Sequence, residues 1–206
     1  DEINYLKKPI STIEQSLAEK TLIAKPQGYT GNIDIIHQAA DSVGFFDNPN
    51  ISKDGLYRKV PLFQLYQNGF HPSLALAITR KAIGDQSYYF NITETGNYQA
   101  IEQVQLGSFI IPVDKTGSVT VPYRGSAGSF PYISVKNILN KSIAIDALKN
   151  RIIILGTSAP GLQDIRATPV DTAMPGVEVH ANIISGILDQ RIPYQPSYIL
   201  GVELTI

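Results

Sequence analysis

Residues 151–188 constrain the fold most, because a strand pattern, a polar loop and a helix pattern follow one another there. Residues 152–155 form an apolar run with three β-branched side chains between turn signals, which predicts a buried inner strand. Gly156 opens the polar loop. Ligands of open α/β sheets bind at the carboxyl ends of the strands, so we expect this loop to carry functional residues.

A helix is predicted after Pro175 and Gly176, because apolar residues recur there at helical spacing. The apolar stripe consists of Val177, Ala181, Ile184 and Leu188. We expect the opposite face of the helix to be the solvated one, and it carries Glu178, Asn182, Ser185 and Asp189.

Asp164 and Arg166 allow two interpretations. The first is structural, an ion pair or a set of hydrogen bonds that orders the loop. The second is ligand recognition, because a guanidinium group is a rigid fork that suits a carboxylate or a phosphate. The start of the helix near Gly176 would add N–H donors for an anion, but Glu178 lies in the same turn and weakens that case. Both interpretations stay open.

We predict that ligand-binding residues lie in the polar loop, in the first turns of the helix and at the end of an earlier strand. At that strand end, the side chain of Arg124 is long enough either to reach a ligand or to cap a neighbouring helix. The predicted ligand-binding residues are Tyr123, Arg124, Thr157, Ser158, Asp164, Arg166, Thr168, His180 and Asn182.

Ser158, Asp164 and His180 supply the residue types of a nucleophilic triad, so a serine hydrolase is one alternative function. Ser158 lies in the sequence GTSAPG, however, which lacks the G-x-S-x-G elbow that such enzymes use. A position near the helix N-terminus would lower the pKa of His180 and suit a neutral base, but polar loops often hold such combinations. We therefore predict no catalytic residue.

The same loop does not fit the common cofactor motifs. No lysine follows Gly161 as a Walker loop requires, and the chain has no G-x-G-x-x-G sequence. His37, His71 and His180 are scattered, without the spacing of metal ligands. We predict no metal and no cofactor.

Composition excludes several classes of protein. The chain has 206 residues, which suits one domain of ordinary size. Its 17 Lys and Arg residues are balanced by 18 Asp and Glu residues, so no basic surface points to nucleic acid. The chain has no cysteine, which rules out disulfides, cysteine metal sites and a thiol nucleophile but does not fix the compartment.

The predicted fold is a single α/β domain with a mixed β-sheet and flanking helices. Short helices are predicted at residues 34–41 and, closed by Gly84, at 73–83. A hairpin is predicted at residues 109–123, with its turn at 114–117.

Four segments resemble, in the same order, the sequence blocks of one family. They are KDGLYRKVPLF at residues 53–63, HPSLALA at 71–77, VPYRGSAGSFPYISVKNIL at 121–139 and ILGTSAPGLQDIRATPVDTAMPGVEVHAN at 154–182. Together they resemble CHASE2 domains, the extracytoplasmic sensor modules of bacterial membrane receptors. The resemblance is best over residues 35–192, within a predicted sensor domain of residues 1–197.

The resemblance implies a signal-sensing domain at the periplasmic or extracellular face of the bacterial inner membrane. Such domains regulate a cytoplasmic nucleotide cyclase, diguanylate cyclase, phosphodiesterase, histidine kinase or Ser/Thr kinase, and do no chemistry themselves. The implied signal is a small molecule or a protein, and a homodimer is compatible with this role. A periplasmic solute-binding protein is a further alternative.

The resemblance also leads to an expectation for each end of the chain. Residues 198–206 are apolar apart from Glu203 and Thr205, and with the resemblance we expect the start of a transmembrane helix there. About fifty residues precede Lys53, fewer than is usual in CHASE2 domains. We expect that the N-terminal part of the family fold is either missing or short.

Overall fold

The computed structural model describes residues 9, 11–12, 15–95, 98–157 and 164–194. The helices are α1 (Gln15–Lys20), α2 (Asp34–Ala39), α3 (Leu74–Ala82), α4 (Val135–Leu139) and α5 (Gly176–Leu188), with a 3₁₀ turn at Ile145–Ala147. The strands are β1 (Ser11–Thr12), β2 (Lys59–Pro61), β3 (Phe63–Tyr66), β4 (Gly69–Pro72), β5 (Tyr88–Thr95), β6 (Tyr98–Leu106), β7 (Phe109–Pro112), β8 (Ser118–Thr120), β9 (Ile165–Arg166) and β10 (Met174–Pro175).

These strands form several small antiparallel sheets rather than one large sheet. The three-stranded sheets have the orders β1-β4-β3 and β5-β6-β7, and β2 pairs with β8 and β9 with β10. A single parallel bridge, outside the named strands of the described residues, joins Phe45 to Ser73. The predicted single α/β domain is confirmed, with its sheet divided into small pieces.

The core lies where α3 and α5 pack against each other and against the sheets. On α3 the fully buried residues include Leu76, and on α5 Ile183 and Ile187. Phe63 and Phe70 contact edge to face, with ring centroids 5.5 Å apart. Burial of such side chains stabilises the fold by roughly 1.5–3 kcal/mol each.

Helix α3 forms where the sequence predicts it, for local reasons. The Ser73 hydroxyl accepts a hydrogen bond from the backbone N–H of Leu76 at 3.3 Å and so caps the first turn. Gly84 follows the helix with φ +89°, a conformation that glycine adopts without strain.

The predicted hairpin at residues 109–123 is wrong in its pairing, although its turn forms. The Asp114 carboxylate accepts hydrogen bonds from the N–H groups of Thr116 and Ser118 at 2.9 and 3.1 Å. The strands on either side then diverge, because β7 pairs with β6 and β8 pairs with β2. Local turn chemistry fixed the bend, but β7 pairs with the strand just before it, and β8 pairs with a strand about sixty residues earlier.

The predicted inner strand at residues 152–155 is also wrong. Ile152, Ile153 and Leu155 are 41, 58 and 78 % exposed, and none of the described strands pairs with this segment. Ile154 alone of the four packs against the core. An apolar run becomes an inner strand only where neighbours supply hydrogen bonds on both sides, and the described strands pair elsewhere.

Helix α5 begins and ends close to the predicted residues, but the prediction of its polar face is wrong at Glu178 and Asn182, although Asp189 is exposed. Glu178 and Asn182 are buried, at 2 and 0 % exposure, whereas Val177 is only half-buried. The reason is that segment 123–132 covers this side of the helix and supplies hydrogen-bond partners for both side chains.

Candidate functional site

A cavity of about 340 Å³ lies at the N-terminal end of α5. Segment 154–157, strand β9 and the first turns of α5 form one side, and residues from 46–60 and the start of α3 form the other. Its apolar lining consists of Phe46, Tyr57, Val60, Leu74, Ile154, Leu155, Val177 and Val179. Its polar lining consists of Asn48, Thr157, Asp164, Arg166 and His180, with the backbones of Gly156 and Gly176.

Two glycines allow the walls of this cavity to approach each other. A Cβ atom on Gly156 would overlap the side chain of Val177, and one on Gly176 would overlap the carboxylate of Asp164. Any larger residue must therefore displace the side chain of Val177 or of Asp164. The shape of the cavity depends on both glycines.

Asp164 is held against the start of α5 by its backbone. Its carbonyl oxygen accepts a hydrogen bond from the N–H of Gly176 at 2.9 Å. The adjacent pairing of β9 with β10 places Ile165 opposite Pro175 and Arg166 opposite Met174. These contacts fix the polar loop where it meets the helix.

Asp164 and Arg166 form an ion pair in the cavity wall. Arg166 Nη2 lies 3.1 Å from Asp164 Oδ1, and both side chains are about one-third exposed, at 31 and 34 %. Arg166 Nη1 also donates to the carbonyl oxygen of Ile165 at 3.1 Å. The guanidinium carbon lies 5.5 Å from the ring centre of Tyr57, close enough for a cation–π contact. The ion pair expected from the structural interpretation is therefore present. Both side chains also line the cavity.

His180 lies beside this pair on α5. Burial lowers the pKa of His180; the nearby Asp164 carboxylate opposes this effect and the Arg166 guanidinium adds to it. The ring is therefore neutral at pH 7. Its Nδ1 atom is buried and has no hydrogen-bond partner among the described residues. Because Asp164 does not accept a hydrogen bond from this nitrogen, the two residues do not form the carboxylate–imidazole part of a triad.

The structure brings together four of the nine predicted site residues. Thr157, Asp164, Arg166 and His180 line the cavity. Ser158 lies outside the described residues. The remaining four make structural contacts next to the cavity or behind α5.

Tyr123 and Thr168 support the cavity from outside. The Tyr123 hydroxyl donates to the carbonyl oxygen of Tyr57 at 2.6 Å, and the N–H of Tyr57 donates to the carbonyl oxygen of Ala167 at 2.8 Å. Tyr57 is thereby held beneath Arg166. Thr168 is 4 % exposed and closes a turn, with its hydroxyl 2.9 Å from the carbonyl oxygen of Asp171.

Asn182 and Arg124 join segment 123–132 to the far side of α5. The Asn182 side chain accepts from the N–H of Arg124 at 2.9 Å and donates to the carbonyl oxygen of Glu178 at 2.8 Å. The Arg124 guanidinium pairs with Asp189 at 2.7 Å and hydrogen-bonds Ser185. It also lies over the ring of Phe130, 5.0 Å from its centre.

Glu178 is a buried residue that sequence reasoning assigned to the solvated face. Its carboxylate accepts hydrogen bonds from the N–H groups of Gly128 and Phe130 at 3.0 and 3.4 Å and from the Tyr132 hydroxyl at 2.6 Å. Burial and this carboxylate together raise the pKa of Tyr132. The sequence feature that could have indicated a buried acceptor is the glycine- and serine-rich segment 125–129, because its backbone N–H groups need hydrogen-bond acceptors.

The described residues were also compared with the requirements of a metal site and of a membrane-spanning helix. No group of three or more His, Cys, Asp or Glu side chains within it is arranged to hold a metal ion. None of its helices is long and apolar enough to cross a membrane. The predicted membrane segment at 198–206 lies outside the described residues.

The model of one family, the CHASE2 domain, matches residues 5–205. The chain belongs to the CHASE2 family. CHASE2 domains are extracytoplasmic sensor modules of membrane receptors and are not catalytic. Searches of curated proteins and of solved structures found no match.

The segments that resemble CHASE2 blocks converge in space. Tyr57 and Val60 come from segment 53–63, Leu74 comes from 71–77, and much of the remaining lining comes from 154–182. The fourth segment, 121–139, covers the opposite side of α5 through Arg124 and Tyr132. The cavity is thus the place where three of the four segments of this CHASE2 domain meet.

Proposed function

We propose that this CHASE2 domain is the signal-sensing part of a bacterial membrane receptor. In this proposal it lies at the periplasmic or extracellular face of the inner membrane, is joined to transmembrane helices, and regulates a cytoplasmic output domain such as a nucleotide cyclase or a kinase. Family membership supports the sensory role. The observation that carries a site for the signal is the cavity lined by three separate family segments.

The cavity suits a sensor because its walls come from several separate segments of the chain. A ligand between segment 154–157, β9 and the start of α5 would contact all three. Such a ligand favours the conformation that holds them together, and any difference in its affinity for two conformations shifts their equilibrium. In this proposal the shift passes along α5 towards the membrane at about Tyr198, which couples the signal to the output domain.

Deletion of the domain from the full-length gene product tests this function. The output, cyclic nucleotide formation or phosphorylation according to the domain present, is measured in cells as the medium is varied. We expect the deletion to abolish the dependence of output on the medium, while the output domain remains folded and membrane-bound. An unchanged dependence would contradict the sensory role.

A further inference from the structure

The charges of the cavity indicate the class of ligand that it takes. We propose that the cavity binds a small zwitterion with an apolar substituent, an apolar α-amino acid, whose carboxylate contacts Arg166 and whose ammonium contacts Asp164. This inference rests on the proposed sensory function, since it names the signal of that same site. It assigns a separate role to each member of the ion pair.

The ion pair favours a ligand with two charges over a ligand with one. Asp164 and Arg166 are the charged side chains among the described residues that line the cavity, and their closest atoms are 3.1 Å apart. An anion at Arg166 is repelled by Asp164, and a cation at Asp164 is repelled by Arg166. A zwitterion presents the opposite charge to each of them. The planar guanidinium also matches the geometry of a carboxylate.

His180 lines the cavity without adding charge. Its Nδ1 atom is buried beside the ion pair and has no hydrogen-bond partner among the described residues. Because this nitrogen is buried, it does not form part of the cavity surface, and the proposed ligand contacts are those of Asp164 and Arg166.

The rest of the lining sets the size and polarity of the substituent. Val60, Leu74, Ile154 and Val179 provide an apolar wall away from the charges. A volume of about 340 Å³ is at the lower end of the range for ligand pockets, roughly 300–1,000 Å³. An amino acid with an aliphatic or aromatic side chain fits such a space, and a nucleotide with its phosphates finds no second cation among the described lining residues.

Binding of matched analogues to the purified chain tests the proposal. Valine, leucine, isoleucine, methionine and phenylalanine are screened by thermal shift and calorimetry, together with isocaproate, which is leucine without its amino group, and isoamylamine, which is leucine without its carboxylate. We expect at least one amino acid to raise the unfolding midpoint by about 5 °C at saturation. We expect isocaproate and isoamylamine to bind at least about tenfold more weakly than leucine. The absence of binding by all five amino acids at millimolar concentration, or equal binding of either analogue, would overturn the proposal.

Substitutions of Arg166 and Asp164 test which charged group of the ligand each side chain contacts. Arg166→Gln is expected to weaken leucine binding about tenfold or more and to strengthen isoamylamine binding, because it removes the positive charge that repels the amine. Asp164→Asn is expected to weaken leucine binding as well, and to strengthen isocaproate binding, because it removes the negative charge that repels the carboxylate. Arg166→Lys keeps the charge without the fork and gives an intermediate affinity. Arg80→Gln breaks an exposed pair with Asp85 outside the cavity and serves as the matched control. Equal loss of all three ligands in Arg166→Gln, with the unfolding midpoint retained, would contradict the assignment.

The same measurements separate this inference from the proposed function. If the intact receptor responds to its medium through this domain but no amino acid binds, the ligand class is wrong and the sensory role stands. If leucine binds and the receptor output does not depend on the domain, the ligand class is supported and the sensory role is contradicted.

Discussion

Glu178 shows most clearly how a single residue organises the region around the site. Its carboxylate accepts two backbone N–H groups and one hydroxyl from segment 128–132. A charged acceptor with several donors is among the stronger kinds of hydrogen bond in proteins. Glu178 therefore holds this segment against α5, on the side opposite the cavity.

Replacement of Glu178 is expected to lower the stability of the domain. Glu178→Gln keeps the shape but loses the charge-assisted hydrogen bonds, and we expect a loss of about 1.5–3 kcal/mol in the free energy of unfolding. Urea denaturation monitored by circular dichroism measures it. Glu102→Gln on β6 is the control with the same chemical change, expected to stay within about 0.5 kcal/mol of the original chain. Equal effects of the two substitutions would contradict this account of Glu178.

The pKa of His180 leads to a pH dependence of stability with a definite sign. Burial lowers the pKa of His180 from its ordinary value of 6.5, so the unfolded chain binds a proton more readily than the folded chain. Stability is full above about pH 6.5 and falls as the pH decreases towards the folded pKa. Burial lowers the pKa of His71 in the same way, so both histidines contribute.

Denaturation curves across this pH window check the assignment. As the pH falls below about 6.5, we expect His180→Gln to reduce the loss of stability on acidification, and His71→Gln combined with it to reduce the loss further. An undiminished loss in the double variant would show that other groups are responsible.

At the scale of secondary structure, Gly176 allows the Asp164 side chain to lie close to the start of α5. A Cβ atom there would overlap the Asp164 carboxylate, so we expect Gly176→Ala to destabilise the domain by about 1–3 kcal/mol. Thermal and urea unfolding measure the change. Gly28 has no heavy atom within 4 Å of the position of an added Cβ, and Gly28→Ala is expected to be neutral or slightly stabilising. A neutral Gly176→Ala would mean that the close approach is not required.

The elements that the sequence predicts correctly are those with local causes. Helix α5 follows from apolar spacing and α3 from its Ser73 cap and the glycine after its end. The predictions of burial that fail concern residues whose surroundings come from distant parts of the chain. The burial of Glu178 depends on donors about fifty residues away along the chain, and the exposure of Ile153 depends on which strands pair elsewhere.

At the scale of the whole molecule, the order of the four sequence segments predicted the family and the single α/β domain. The polar loop and the helix after it were separately predicted to share one ligand site, and Asp164, Arg166 and His180 do lie together. The opposite wall was not predictable from the sequence, because Tyr57, Val60 and Leu74 lie about a hundred residues earlier and reach the site only through tertiary packing.

The measurement that tests the central claim most directly is the output of the full-length receptor with its cavity altered. The double variant Asp164→Asn, Arg166→Gln is compared in cells with the unaltered receptor and with Arg80→Gln, as the medium is varied. We predict that the double variant loses the response of output to the medium, as the domain deletion does, while Arg80→Gln keeps it. A full response in the double variant would contradict the claim that this cavity receives the signal.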